Sequence, residues 1–326
     1  MTDHPSAGPS RRAVLVAGIA ALALRPARGL AKTGEIHIDY ATYNPISLLL
    51  KEKGWLEEDL HGDGISVRWV QSMGSNKALE FLNSGSLDFG STASAASLLG
   101  RVGGNPIRAV YAYSRPEWTA LVVPADSPAK TIADLKGKRI AVTRGTDPHI
   151  FLVRALATVG LTQDDVRLVL LQHPDGKQAL LRGDVDAWAG LDPMMAAAEI
   201  EANARLLYRN PGFNSWGALN VREEFAAENP ALVRRVLASY EKARQYALAH
   251  PEAVAAALAA QTKLPDAVVA RQLQRTDLNR GLLQPADGQS LLDSGHAMQQ
   301  VGLIDSGVDV TKTVTALVDT SYSPAG

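Results

Sequence analysis

The 326-residue chain contains no cysteine. That one absence excludes disulfides, thiolate metal sites, cysteine nucleophiles and a lipid-anchored cysteine. It leaves the compartment open, since an oxidising space permits disulfides without requiring them. Charge of one sign is also missing: the formal net charge is −1, with 21% charged and 46% apolar residues. No basic patch interleaved with aromatic residues stands out, which excludes a nucleic-acid partner. Long hydrophobic runs are missing too. The most apolar stretch, Ala13 to Leu24, falls short of the roughly 20 residues that a spanning helix needs. Familiar catalytic patterns are absent as well. There is no His-Glu-x-x-His zinc motif, no Gly-x-Ser-x-Gly elbow and no phosphate loop. The seven histidines are scattered singly. His149 reads as a solvated surface residue, and the Asp164-Asp165 pair as first-turn capping. No cofactor and no metal are expected, and the pattern favours binding over catalysis.

The N-terminus is informative. Arg11 and Arg12 precede the uncharged run, and Gly29 and Ala31 are placed for cleavage after Ala31. This is the form of a secretory signal, and Ser10-Arg11-Arg12-Ala13-Val14-Leu15 resembles a twin-arginine export signal. Residues 1–31 are therefore expected to be removed, with four arginines and one aspartate among them. The remainder is expected to be free in the periplasm.

From there the chain alternates strands and helices. Ile36, Ile38 and Tyr40 share one face of a strand and His37 and Asp39 the other. Pro45 to Lys53 reads as a helix ended by Gly54, Ser66 to Val70 as a strand, Lys77 to Asn83 as a helix closed by Gly85, and Leu87 to Phe89 as a short buried strand. The grammar repeats: strand 121–124, short helix 131–135, strand 139–142, and a helix from Pro148 to Val159 stopped by Gly160. Such alternation predicts parallel sheets covered by helices on both faces. Leu82–Asp88 and Leu181–Asp186 both join a helix through glycine to a strand, which suggests two similar α/β units. After Asn220 the chain turns to Ala-rich helices begun at Pro230, Pro251 and Pro265. Chain crossings are placed near 115–119 and 214–220.

Two turns rich in glycine and hydroxyls stand out. Gly90-Ser91-Thr92-Ala93-Ser94 is expected to follow the 87–89 strand, and Gly145-Thr146-Asp147 the 139–142 strand. Ligands in open α/β sheets sit beyond the carboxyl ends of strands, and a helix N-terminus there offers free N–H groups to an anion. The plainer reading is that Ser and Thr simply cap helices.

Taken in order, several segments resemble the nitrate, taurine and aliphatic sulfonate solute-binding family. They are Ala78–Gly90, Asp134–Val142 with Gly145-Thr146, Gly183–Trp188 with Asp192-Pro193, and Val221–Phe225 leading to Asn229-Pro230. Together they cover most of residues 35–320, and the likeness is greatest to the sulfonate branch. The resemblance implies a two-lobed type II periplasmic-binding-protein fold of class α/β. Each lobe would be a mostly parallel sheet flanked by helices, with the ligand cleft between them. Lobe 1 would hold residues 32–118 and 217–326, and lobe 2 residues 119–216. The implied role is a monomeric solute-binding component that delivers a small anionic ligand, a sulfonate or sulfate ester, to the permease of an ATP-binding-cassette importer. The implied pocket positions are Thr42, Tyr43, Asn44, Met73, Gly74, Ser75, Ser91, Thr92, Gly145, Thr146, Asp192, Asn214 and Trp216. Trp188 joins them as a tail contact or, equally, a core residue. Leu191 stands where sulfonate binders often carry Trp, and Ala41–Asn44 replaces the usual Gly-Tyr-Gln. Nitrate, taurine and a thiamine-precursor pyrimidine remain alternatives, Asp192 being the candidate partner for a taurine amine. A sensor module is a further alternative, as is an enzyme like the fungal pyrimidine synthase, though that enzyme depends on a cysteine-rich motif.

Overall fold

The computed structural model describes residues 34–322, so the expected export signal lies outside the described residues. The chain first lays down β1 (Glu35–Tyr40), β2 (Ser66–Gln71), β3 (Phe89–Ala93) and β4 (Ile107–Pro116). It then builds a separate sheet from β5 (Thr119–Val123), β6 (Arg139–Val142), β7 (Arg167–Leu170), β8 (Ala187–Leu191) and β9 (Arg205–Tyr208). It returns with β10 (Gly217–Arg222) and, four helices later, β11 (Thr276–Asp277). The strand orders are β2-β1-β3-β10-β4-β11 and β7-β6-β8-β5-β9. In each sheet three parallel strands are followed by an antiparallel one: β10 runs against β3 and β4, and β5 against β8 and β9. The molecule is thus two α/β lobes of one plan, joined where β4 passes to β5 and β9 to β10.

Local sequence explains most of the elements. The Pro45–Lys53 helix has Asn44 as its cap, whose side chain accepts from the Ser47 N–H, and proline in its first turn. It ends at Gly54, whose left-handed φ of 65° lets its N–H reach the carbonyls of Leu50 and Lys51. Asp165 closes a capping box with Thr162, as its place at a helix start suggests. The first sheet is buried on both faces. One face packs Ile36, Ile38, Phe89 and Val221 against Leu49, Tyr240 and Leu258. The other packs Ala109, Ala112 and Ala218 against Leu98, Leu291 and Leu317.

Two readings need correction. Gly90, Ser91 and Thr92 form no turn: they lie inside β3, which β10 borders along its length (Ala218 opposite Thr92, Leu219 opposite Ser91). Their small size serves packing, because a Cβ on Gly90 would come within 2.9 Å of Leu82. His149 is buried rather than solvated, with Nε2 on Gln163 at 2.9 Å.

Candidate functional site

The carboxyl ends of the parallel strands bring residues 41–44, 72–75 and 94 of the first lobe, and 143–147, 171–173 and 192–194 of the second, to the region between the lobes. In the first lobe the hydroxyl groups are already engaged. Ser91 donates its N–H (2.9 Å) and Oγ–H (2.8 Å) to Asp39 and accepts from Asn44 Nδ2 at 2.8 Å. The Tyr43 hydroxyl donates to the Ser91 carbonyl at 2.9 Å. Thr92 Oγ1 lies 2.5 Å from Ser97 Oγ and accepts from Asn220 Nδ2 at 2.8 Å. Ser75 Oγ accepts from the Ala93 N–H at 2.9 Å, and the Thr42 carbonyl accepts from Gln272 at 2.8 Å. Burial raises the Asp39 carboxyl to about 6, against the pull of the Ser91 donors. Ser91 and Thr92 thus hold the lobe together, and their hydroxyls are not displayed to a ligand.

Met73 is half exposed, at 49%. Gly74 has the opposite surroundings: a Cβ there would come within 3.1 Å of His173 Nε2, which belongs to the second lobe. His173 is fully buried, and burial lowers its ring to about 3. Thr143 Oγ1 donates to the Leu171 carbonyl (2.7 Å) and so receives the His173 Nδ1 proton (3.2 Å). Nε2 is left as a lone pair without a partner among the described residues.

In the second lobe Thr146 Oγ1 donates to the Thr143 carbonyl at 2.7 Å. Gly145 has a φ of +76° and open space where a Cβ would be, so its backbone conformation and not crowding calls for glycine. Trp188 is 1% exposed in the second-lobe core, beside Gly176. Asp192 accepts from the Ala196 N–H (2.9 Å) and pairs with Arg275 at 3.4 Å; Arg275 also grips Glu199. Burial pushes the Asp192 carboxyl up to about 7 even so. With its own arginine, Asp192 is committed as a tie between the second lobe and the segment following the Asp266–Gln274 helix. Asn214 accepts from the Thr119 N–H at 2.9 Å, joining the two crossings. Trp216 is buried, and its indole N–H has no partner among the described residues. Asn214 and Trp216 border a cavity of about 820 Å³ with Arg115, Arg275 and Arg280. Its arginines are matched internally, Arg115 and Arg280 by Asp287 and Arg275 by Asp192 and Glu199.

The residues that sequence reasoning missed sit where the crossings meet the lobes. Asp147, the first residue of the Asp147–Ala157 helix, is 1% exposed. It accepts from Trp118 Nε1 (2.7 Å), the Ser215 N–H (3.0 Å) and Ser215 Oγ (2.8 Å). Ser215 Oγ in turn accepts from the Ala95 N–H at 3.2 Å, at the start of the first-lobe Ser94–Val102 helix. One carboxylate therefore ties both crossings and two helix N-termini together, at the place an anionic head group was expected to occupy. Burial raises its pKa while these donors lower it. The Trp118 ring stands edge-on to Tyr43 (6.2 Å between centroids) and tilted to Tyr113 (6.3 Å). The available signals were position alone: Asp147 completes the Gly145-Thr146 turn, and Trp118 falls in the first crossing.

Residues 46–254 match the family model described as NMT1/THI5 like. A protein of Escherichia coli (strain K12) named for aliphatic sulfonate binding is 32% identical over 209 residues, which span 64% of this chain and 66% of that protein, just under two thirds. Its namesake in Bacillus subtilis (strain 168) is 27% identical over 270 residues, 82% of this chain and 81% of that protein. The solved structure of the alkanesulfonate-binding protein SsuA from Xanthomonas axonopodis pv. citri, bound to MOPS, superposes with a TM-score of 0.80 at 27% identity, covering 89% of this chain and 99% of that one.

Proposed function

This chain belongs to the NMT1/THI5-like family, and from that premise we propose that it is the extracytoplasmic ligand-capturing subunit of an ATP-binding-cassette importer. Its ligand is a small organosulfonate, which leaves chemically unchanged. The observation that carries the reading is two α/β lobes of one plan, joined by two crossings, with the carboxyl ends of both sets of parallel strands turned to the region between them. The likeness to sulfonate-binding proteins over most of the chain supports the ligand class. Among the described residues no cluster of His, Asp and Glu is placed to hold a metal, and no helix is long and apolar enough to cross a membrane. Closure by hinge motion captures the ligand, as both crossings pass beside the cleft. Export through residues 1–31 and docking on a membrane permease belong to the same proposal.

Calorimetric titration of the purified protein with linear alkanesulfonates, sulfate esters, nitrate and a pyrimidine tests the ligand class. Saturable binding of a sulfonate, recovered intact by mass spectrometry, is the expected result. Steady chemical conversion, or binding confined to nitrate or the pyrimidine, overturns the reading.

A further inference from the structure

Side chains from opposite lobes meet at Gly74. A Cβ on Gly74 would lie 2.8 Å from Asn76 Oδ1 and 3.1 Å from His173 Nε2. The backbone there is extended, with φ 163° and ψ 164°, so its conformation does not call for glycine. The approach of the second lobe's imidazole does. Asn76 is the free end of a side chain and can swing aside. His173 cannot, because it is buried and its Nδ1 is held by Thr143. Asn76 stands in the first turn of the Ser75–Asn83 helix and His173 opens the His173–Arg182 helix, so the contact joins the starts of two helices. The two facing atoms, Asn76 Oδ1 and His173 Nε2, are both acceptors, and neither has a partner among the described residues. Buried acceptors left unpaired are costly. A half-turn of the Asn76 amide exchanges Oδ1 for Nδ2, and a donor then faces the Nε2 lone pair. Among the described residues Nδ2 has no other hydrogen bond to give up.

We propose that Asn76 and His173 form an interlobe latch over Gly74: Asn76 Nδ2 donates to His173 Nε2, and the bare glycine lets the lobes close far enough for that bond to form. The latch keeps a closed population in the protein without ligand, and the Gly74–imidazole contact sets how far the lobes close. This rests on the capture-by-closure reading above and deepens it, by naming a contact that closure makes and opening breaks. No ligand atom takes part in it.

The chain has no cysteine, so a pair of spin labels can be placed without background. Asn83→Cys and Gln178→Cys, at exposed positions on the two helices, report the interlobe distance by pulsed double electron resonance with no ligand added. The labelled parent is expected to show a shorter, closed distance beside a longer, open one. Gly74→Val drives a side chain into the place of the imidazole and is expected to lower the closed fraction about tenfold or more. Asn76→Ala removes only the hydrogen bond and is expected to lower it about fivefold. Gly74→Val combined with His173→Ala is expected to return to the level of Asn76→Ala, since the ring's space is vacated and only the bond is missing. Thermal melting confirms folding, and Asn76→Ala carries the test if Gly74→Val does not fold. A parent with only the longer distance, or a Gly74→Val variant with the parent's distances, overturns the inference. A double variant as open as Gly74→Val overturns the assignment to His173, and an Asn76→Ala variant equal to the parent overturns the bond. Because no ligand enters the measurement, each of these outcomes is separate from the success or failure of the sulfonate titration.

Discussion

The two lobes share a strand plan but differ in what they place at equivalent strand ends. β3 and β8 are equivalent third strands. The first is followed by Ser94, whose buried hydroxyl has no partner among the described residues, and the second by Asp192, which has an arginine. β1 and β6 are equivalent too. The first leads to Asn44, a neutral cap, and the second to Thr146 and the buried acid Asp147. Equal backbones thus carry unequal charge. The first lobe keeps its carboxylate, Asp39, for its own Ser91, and the second brings carboxylates that reach the crossings and the far side. The two lobes therefore do not place matching glycine–hydroxyl turns at these strand ends, since residues 90–92 are strand.

The sharpest way to break that comparison is to remove the cation that answers the second lobe's carboxylates from the first-lobe segment after the Asp266–Gln274 helix. Arg275→Ala leaves Asp192 and Glu199 without their shared partner. Removing one member of a buried pair costs about 3–5 kcal/mol. A lower urea midpoint at unchanged m is expected, and a midpoint equal to the parent's would show the pair to be idle.

The first-lobe counterpart is Asp39→Ala, which strands the Ser91 N–H and Oγ–H. Unsatisfied buried donors cost about 1–3 kcal/mol each. A loss of about 2–4 kcal/mol is expected by denaturant titration, smaller than for Arg275→Ala because no charge is left behind.

Titration separates the lobes in sign. Asp39 is raised to about 6 from 3.8, so the folded state holds its proton where the unfolded state has lost it. Its contribution favours folding on the acid side and is lost as pH rises through about 6. His173 is lowered to about 3 from 6.5, so its contribution is full above 6.5 and is lost as pH falls below that value, at about 1.4 kcal/mol per pH unit. Between pH 6 and 4.5 the two oppose each other. Asp39→Asn should make melting temperature fall more steeply on acidification, and His173→Gln less steeply. Profiles parallel to the parent's in both variants would contradict the assignment.

The smallest effects are expected at the hydroxyls. Thr92→Ala removes bonds with Ser97 and Asn220 and should cost about 1 kcal/mol, with little change in alkanesulfonate affinity. Ser94→Ala removes a buried hydroxyl without a partner among the described residues and should be neutral within about 0.5 kcal/mol. A tenfold loss of affinity in Thr92→Ala would return its hydroxyl to the ligand site.

Much of the fold is legible in the sequence because the signals are local. Proline starts and left-handed glycine stops bound the 45–53 helix, and apolar alternation marks β1. Three parallel strands per lobe follow from helices alternating with strands. Other things depend on partners distant in sequence. Residues 90–92 read as a turn because glycine and hydroxyls are turn formers; they become strand because β10, more than a hundred residues later, supplies the missing ladder. His149 reads as a surface residue until tertiary packing buries it against Gln163. Asp192 is an apparent ligand carboxylate until Arg275, 83 residues away, claims it. The sequence by itself determined the alternation, the helix limits and the family. Only the tertiary structure decided which polar groups are spent and which remain, because a hydrogen bond or an ion pair is settled by three-dimensional proximity and burial, and neither is written in local spacing.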